Sequence, residues 1–183
     1  MSILEVILTS ISLGMDAFSV SICKGITIRK EKIKKSIIIG LYFGLFQTLM
    51  SLFGYMFGNI FYKYIVYLDH WIAFFLLLII GTDMIIESYK HNDIDDSIKF
   101  KEMIILSIAT SIDALVVGIT LSLFNINILL VTLTIGLITF ILSFIGVIFG
   151  NEIKKKININ LELIGGIILI LIGIKILLEH LIF

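Results

Sequence analysis

Between Ile3 and Cys23 the chain carries only two charged residues, Glu5 near the start and Asp16 in the middle. A stretch of about 20 such apolar residues is the length of helix that crosses the hydrocarbon core of a bilayer. A carboxylate at its centre costs roughly 3 kcal/mol to insert and faces a bundle interior or a water-filled path. At helical spacing Thr9, Ser12, Ser19 and Cys23 share the stripe of Asp16, which gives an apolar helix with one narrow polar seam. A second copy of this arrangement lies 97 residues on, in ATSIDALVVGIT, where Asp113 shares a seam with Thr110 and Thr120. Hydrogen bonds between membrane helices are worth only about 1 kcal/mol, too little to offset the insertion of two aspartates. Function explains the pair better than packing does.

The rest of the chain has the same character. Hydrophobic residues make up 59% of it and its mean hydropathy is +1.14, too apolar for a soluble domain. Six apolar segments are expected as transmembrane helices at 3–23, 36–60, 70–89, 103–124, 128–150 and 162–182. The net charge is zero and no basic patch interleaved with aromatics is present, so nucleic acid is not an expected partner. The one cysteine allows no intrachain disulfide, and no Cys/His cluster offers a zinc site. MSILE lacks a basic n-region, so the first helix is expected to be retained. Twelve basic residues fall in the first, third and fifth loops, against Lys63 alone in the second and none in the fourth. The positive-inside rule places those three loops in the cytoplasm and both termini outside.

Helix 2 carries Gly40, Gly44, Gln47, Ser51, Gly54 and Gly58, and helix 5 carries Thr132, Gly136, Thr139, Ser143, Gly146 and Gly150, each 92 positions later. Both end in Phe-Gly-Asn, and Gly81 and Glu87 match Gly173 and Glu179 at the same offset. A first loop five residues longer in the first half explains the offset of 97 at the aspartates. The expected fold is therefore all-α, a polytopic membrane protein of six helices built as two three-helix repeats. Residues 1–89 form the first repeat, 90–102 a cytoplasmic connecting loop and 103–183 the second repeat. Three crossings per unit is odd, so the halves are inverted, an architecture that holds substrate near the midplane.

The glycine stripes of helices 2 and 5 are best read as surfaces for close helix packing. Gln47, Ser51, Thr139 and Ser143 serve packing or a site equally well, because they supply oxygens at mid-membrane depth. Lys175 and Glu179 are read as an i,i+4 ion pair, Asp83 and Glu87 as interfacial acids, and Tyr62, Tyr64, Tyr67 and Trp71 as an aromatic belt. His70, His91 and His180 sit near helix ends, so a histidine metal site is unsupported. Two carboxylates with hydroxyls and one amide oxygen make a hard donor set that suits Mn²⁺, Mg²⁺ or Ca²⁺. The candidate ligands are Asp16, Asp113, Gln47, Ser12, Ser19, Thr110, Thr139 and Ser143. Spacing alone does not choose among these metals.

The strings SLGMDAFSVSICKGI, DHWIAFFLLLIIGTDMIIE, ATSIDALVVGITL and NLELIGGIILILIGIKIL resemble the small MntP-type manganese efflux pump family over nearly the whole chain. The resemblance implies a bacterial inner-membrane exporter of Mn²⁺. It maps the family's intramembrane aspartates onto Asp16 and Asp113, and its polar helix 2 position onto Gln47. Ser51 stands where the family commonly has proline, and Tyr55 where it has tryptophan. No Walker motif and no Ser–His, Cys–His or HExxH arrangement is present, so neither ATP hydrolysis nor another enzymatic activity is expected. The expectation is a secondary transporter working by alternating access, with no cofactor, Mn²⁺ as substrate, the lipid bilayer as its surroundings and protons as a counter-ion. Two carboxylates held close do not both stay ionised without a cation, so a proton can take the metal's place. An exporter of another divalent metal or small solute, or a membrane assembly protein that moves nothing, are the alternatives.

Overall fold

A computed structural model describes residues 3–28, 30–89, 100–122, 124, 126–156 and 161–182, with the backbone alone at 59–70 and at some other helical positions. Among the described residues every regular element is a helix: α1 (Ile3–Thr27), α2 (Lys32–Tyr89), α3 (Phe100–Leu121), α4 (Ile128–Lys156) and α5 (Leu161–Ile182). Among the described residues four stretches are long and apolar enough to cross a membrane: Ile3–Thr27, Lys32–Gly58, Phe100–Leu121 and Ile128–Ile153. Phe74–Ile86 and Leu163–Lys175 are shorter apolar helices.

The stretches expected as helices at 36–60 and 70–89 are both helical and follow each other within one run, α2. A straight helix of 58 residues would be about 87 Å long, nearly three bilayer cores. Instead, Tyr42 meets Phe100 ring to ring, while Leu78, Ile80 and Thr82 line one cavity with Lys101, Glu102 and Ile105. Both parts of α2 thus reach the same end of α3, so the run folds back between residues 58 and 74. With neither proline nor glycine from 59 to 74, the sequence offers no residue there that must leave the helix. We refer to 32–58 and 74–86 as its first and second arms.

The ends of α1 and α2 also extend past the expected limits. Ile26 and Ile28 are buried, so packing carries α1 beyond Cys23, and Lys24 in its last turn suits the helix dipole. Glu31, at φ 53°, is the turn residue from which α2 starts, and its carbonyl accepts the Lys35 amide at 3.0 Å. Asn127 caps α4, its Oδ1 accepting the Leu130 amide at 3.4 Å.

Polar side chains are buried among the apolar core, while long apolar series face outward. Gln47, Ser10, Ser21, Ser51, Ser107, Thr139 and Ser143 are buried, whereas Leu41, Leu45, Leu49 and Phe53 on α2 and Leu133, Leu137, Ile141 and Ile145 on α4 are exposed. Each exposed series repeats every fourth residue, a continuous apolar face on the outside of the bundle. Such a face is stable against lipid, and the chain is a multi-pass membrane protein.

Helix contacts come in matched pairs. A Cβ at Gly146 would sit 2.7 Å from the Phe18 carbonyl oxygen, and one at Gly54 would overlap the Leu115 carbonyl. Gly150 faces the Ile22 carbonyl as Gly58 faces that of Ile119, and Gly44 and Gly136 face each other's carbonyls. Position by position, α4 lies on α1 as the first arm of α2 lies on α3, at the offsets of 92 and 97 noted above. In both pairs the absent side chain is what lets the two backbones touch.

One end of the bundle is tied by charge. Lys24 of α1 is paired with Glu102 of α3, and Lys32 Nζ lies 2.8 Å from Glu152 of α4. Asn151 Nδ2 donates to the Ile28 carbonyl at 2.7 Å. The start of α1 lies at the other end, where Ile3 and Val6 share a cavity with Asn127 and Val131. Of the expected connecting loop, 90–99 falls outside the described residues, while Phe100, Lys101 and Glu102 already belong to α3. The side chains of Tyr62, Tyr64, Tyr67, Asp83, Glu87 and Glu179 are likewise outside the described set.

Candidate functional site

Gln47 is the structural hub of the aspartate level. It is fully buried on the first arm of α2, where a primary amide without partners would cost several kcal/mol. Its Nε2 donates to the Leu13 carbonyl of α1 at 3.3 Å, and its side chain also bonds the carboxylate of Asp113 on α3. One residue therefore links three helices. Asp16 lies close enough to Asp113 for their charges to act on each other. Asp113 Oδ1 additionally accepts the Ala114 amide at 2.7 Å. Both aspartates are partly buried.

Thr139 and Ser143 approach from α4. The Thr139 hydroxyl lies 3.4 Å from where a Cβ of Gly14 would stand, two residues from Asp16. Both residues are fully buried, and neither hydroxyl has a hydrogen-bond partner. The same is true of the Gln47 Oε1. Of these unengaged oxygens the Gln47 Oε1 stands with the Asp113 carboxylate, while those of Thr139 and Ser143 are held on α4; carboxylates with neutral oxygens are a donor set that fits a hard divalent cation. Among the described residues no group of three or more His, Cys, Asp or Glu side chains is assembled. A cation here would therefore rely on two carboxylates and neutral oxygens.

The remaining expected ligands are placed differently. Thr110 is buried, but its hydroxyl donates to the Leu106 carbonyl at 3.0 Å. The Ser19 hydroxyl donates to the Met15 carbonyl at 2.9 Å. Ser12 stands on the exposed side of α1. The Ser51 hydroxyl is taken up by the Gln47 carbonyl at 2.9 Å. Spacing puts these residues on the right helices, yet it does not tell a hydroxyl that bonds its own helix from one that does not. Two further buried hydroxyls without partners, Ser21 and Ser107, escape the sequence reading. For Ser21 a signal exists: with Gly14, Phe18 and Gly25 it forms an i, i+4, i+7, i+11 stripe on α1.

The chain matches the family described as "Putative manganese efflux pump" over residues 30–177. A relative from Desulfitobacterium hafniense is 50% identical over 97% of this chain and 95% of its own length. One from Mannheimia succiniciproducens is 47% identical over the whole of both chains, and one from Campylobacter jejuni is 47% identical over the same extent. All three carry the name "Putative manganese efflux pump MntP". No solved structure matches the chain.

Proposed function

The chain belongs to this family of manganese efflux pumps, and from that premise we propose that it exports Mn²⁺ as a secondary transporter. The observation that carries the reading is the meeting of Asp113, Asp16 and Gln47 from three helices, with the Gln47 Oε1 unpartnered beside them. The carboxylates supply charge to replace part of the ion's hydration, and the neutral oxygens complete its shell. Gln47 holds the Asp113 carboxylate in place by donating to it, while its own Oε1 remains a ligand. Oxygen donors serve Mn²⁺, Mg²⁺ and Ca²⁺ alike, so the choice of manganese rests on the family.

Residues 1–89 and 103–183 act as two inverted halves joined by 90–102, and their rocking exposes the site to each face in turn. The matched contacts of α1 with α4 and of α2 with α3 support this arrangement. The end bearing Lys24, Lys32 and Glu152 is cytoplasmic and both termini lie outside, across a bacterial inner membrane. Protons are the counter-ion, replacing the metal between the carboxylates on the return step. The pump acts on no covalent bond and holds no resident cofactor.

The test is purified protein in liposomes, with influx and efflux of Mn²⁺, Mg²⁺ and Ca²⁺ followed across an imposed pH gradient. Mn²⁺ movement that dissipates the gradient is expected, and is lost in Asp16→Asn and Asp113→Asn. Unchanged metal flux in the well-folded double variant would overturn the site.

A further inference from the structure

A cavity of about 640 Å³ lies between the second arm of α2 and the start of α3, a volume in the range that holds a small organic ligand. Its walls are apolar, with Leu78, Ile79 and Ile86 on one helix and Ile105 on the other. Ile79 and Ile86 are exposed, so the cavity opens on the outer surface of the bundle, the face turned to lipid. It extends over eight residues of the arm, about 12 Å of helix.

The polar groups around it are few, and most are engaged. The Thr82 hydroxyl donates to the Leu78 carbonyl of its own helix at 2.6 Å. The Glu102 carboxylate is paired with Lys24 of α1. Lys101 is exposed and forms no ion pair among the described residues. One positive charge is therefore left over at the edge of an apolar cavity, in the first turn of α3. A lysine there also faces the positive end of the helix dipole, a repulsion that a bound anion relieves. Other surface crevices lack this feature. The one between the first arm and α4 is lined by Leu41, Thr48, Leu137 and Phe140, and the one between α1 and α4 by Ile3, Val6, Asn127 and Thr134. Neither has a charged residue among its described lining.

We propose that the cavity between the second arm and α3 binds one phospholipid with a negatively charged headgroup, its phosphate on Lys101 and an acyl chain between Leu78 and Ile105. The start of a spanning helix lies at headgroup level, and basic pockets between membrane helices take anionic lipids at that level. A metal ion finds no free carboxylate there, because Lys24 holds Glu102. A helix from a second copy needs a longer groove than 12 Å. The bound lipid joins the second arm to α3 beside Glu102, the residue that ties α3 to α1.

Native mass spectrometry of the full chain tests this. The protein, in mild detergent, is mixed with equimolar phosphatidylglycerol and phosphatidylcholine carrying identical acyl chains. One phosphatidylglycerol per chain is expected to be retained in preference. Lys101→Gln should weaken its retention about fivefold, whereas Lys34→Gln, at an exposed lysine away from the cavity, should not change it. Thr82→Trp fills the cavity from an exposed position and should abolish retention although Lys101 remains. Equal retention of the two lipids, or equal loss in both lysine variants, would overturn the proposal. So would retention that survives either Lys101→Gln or Thr82→Trp. Thermal unfolding separates lipid from free anion: phosphatidylglycerol should raise the Tm of the parent protein, and inorganic phosphate should not. An equal rise with both would place a free anion on Lys101 and refute the lipid, as would a dimer that Thr82→Trp dissociates.

Discussion

The seam between α1 and α4 and the seam between α2 and α3 are built alike and furnished differently. Glycines at equivalent positions bring both pairs of backbones into contact, Gly146 and Gly150 in one, Gly54 and Gly58 in the other. The second seam holds an amide, Gln47, bonded to the Leu13 carbonyl and Asp113. The first has in its place Thr139, whose hydroxyl bonds nothing. Packing is thus duplicated while polar chemistry is not. The close contacts occur twice, whereas the proposed site would need only one set of ligands, held on one side and left open on the other.

The largest effects should fall on what the seams share. Gly54→Val and Gly150→Val each drive a side chain into a carbonyl of the facing helix, and each should cost about 3 kcal/mol. Unfolding curves in mild detergent will show whether the two losses agree. A loss at one seam alone would break the equivalence. Next comes the charge common to both: Asp16→Asn and Asp113→Asn should each lower Mn²⁺ transport about a hundredfold with little change in Tm, because groups that touch the ion outweigh those that orient them. Flux assays on matched protein amounts decide this.

The smaller effects should separate the seams. Gln47→Leu takes the side-chain donor from the Asp113 carboxylate and the Leu13 carbonyl and should cost about 1–2 kcal/mol. Thr139→Val, at the equivalent position, removes a hydroxyl that contributes no bond to the fold. It should leave stability unchanged or raise it by about 1 kcal/mol, while weakening Mn²⁺ protection against thermal unfolding. Equal destabilisation by both substitutions would mean that the Thr139 hydroxyl holds the fold together just as the Gln47 amide does.

Much of this is legible in the residues. Hydropathy locates the apolar segments, and the offset of 92 between Gln47 and Thr139 marks the two seams as equivalent without any knowledge of contacts. The reversal of α2 reads as a loop at 61–69, because a change of direction usually brings polar or proline residues with it. In the structure the helical hydrogen-bonding run continues through it. Side-chain hydrogen bonds are the least legible. Ser51 and Ser143 are the same residue at equivalent positions, yet only the first donates to its own helix. That choice depends on one torsion and on the neighbour across the seam, neither of which a pattern of spacing encodes.

The ion pairs at the ends of the helices have a consequence for the order in which the protein is made. Lys24 precedes its partner Glu102 by 78 residues, and Lys32 precedes Glu152 by 120. While the first hairpin is being threaded into the bilayer, neither acid has yet been translated. The lysines therefore meet the insertion machinery with their charge unmasked, at the moment when positive residues decide which way a helix points. Neutralisation waits for α3 and then α4 to arrive. The two lysines first act as an address, and later, with Glu102 and Glu152, become the fastening that joins the finished helices.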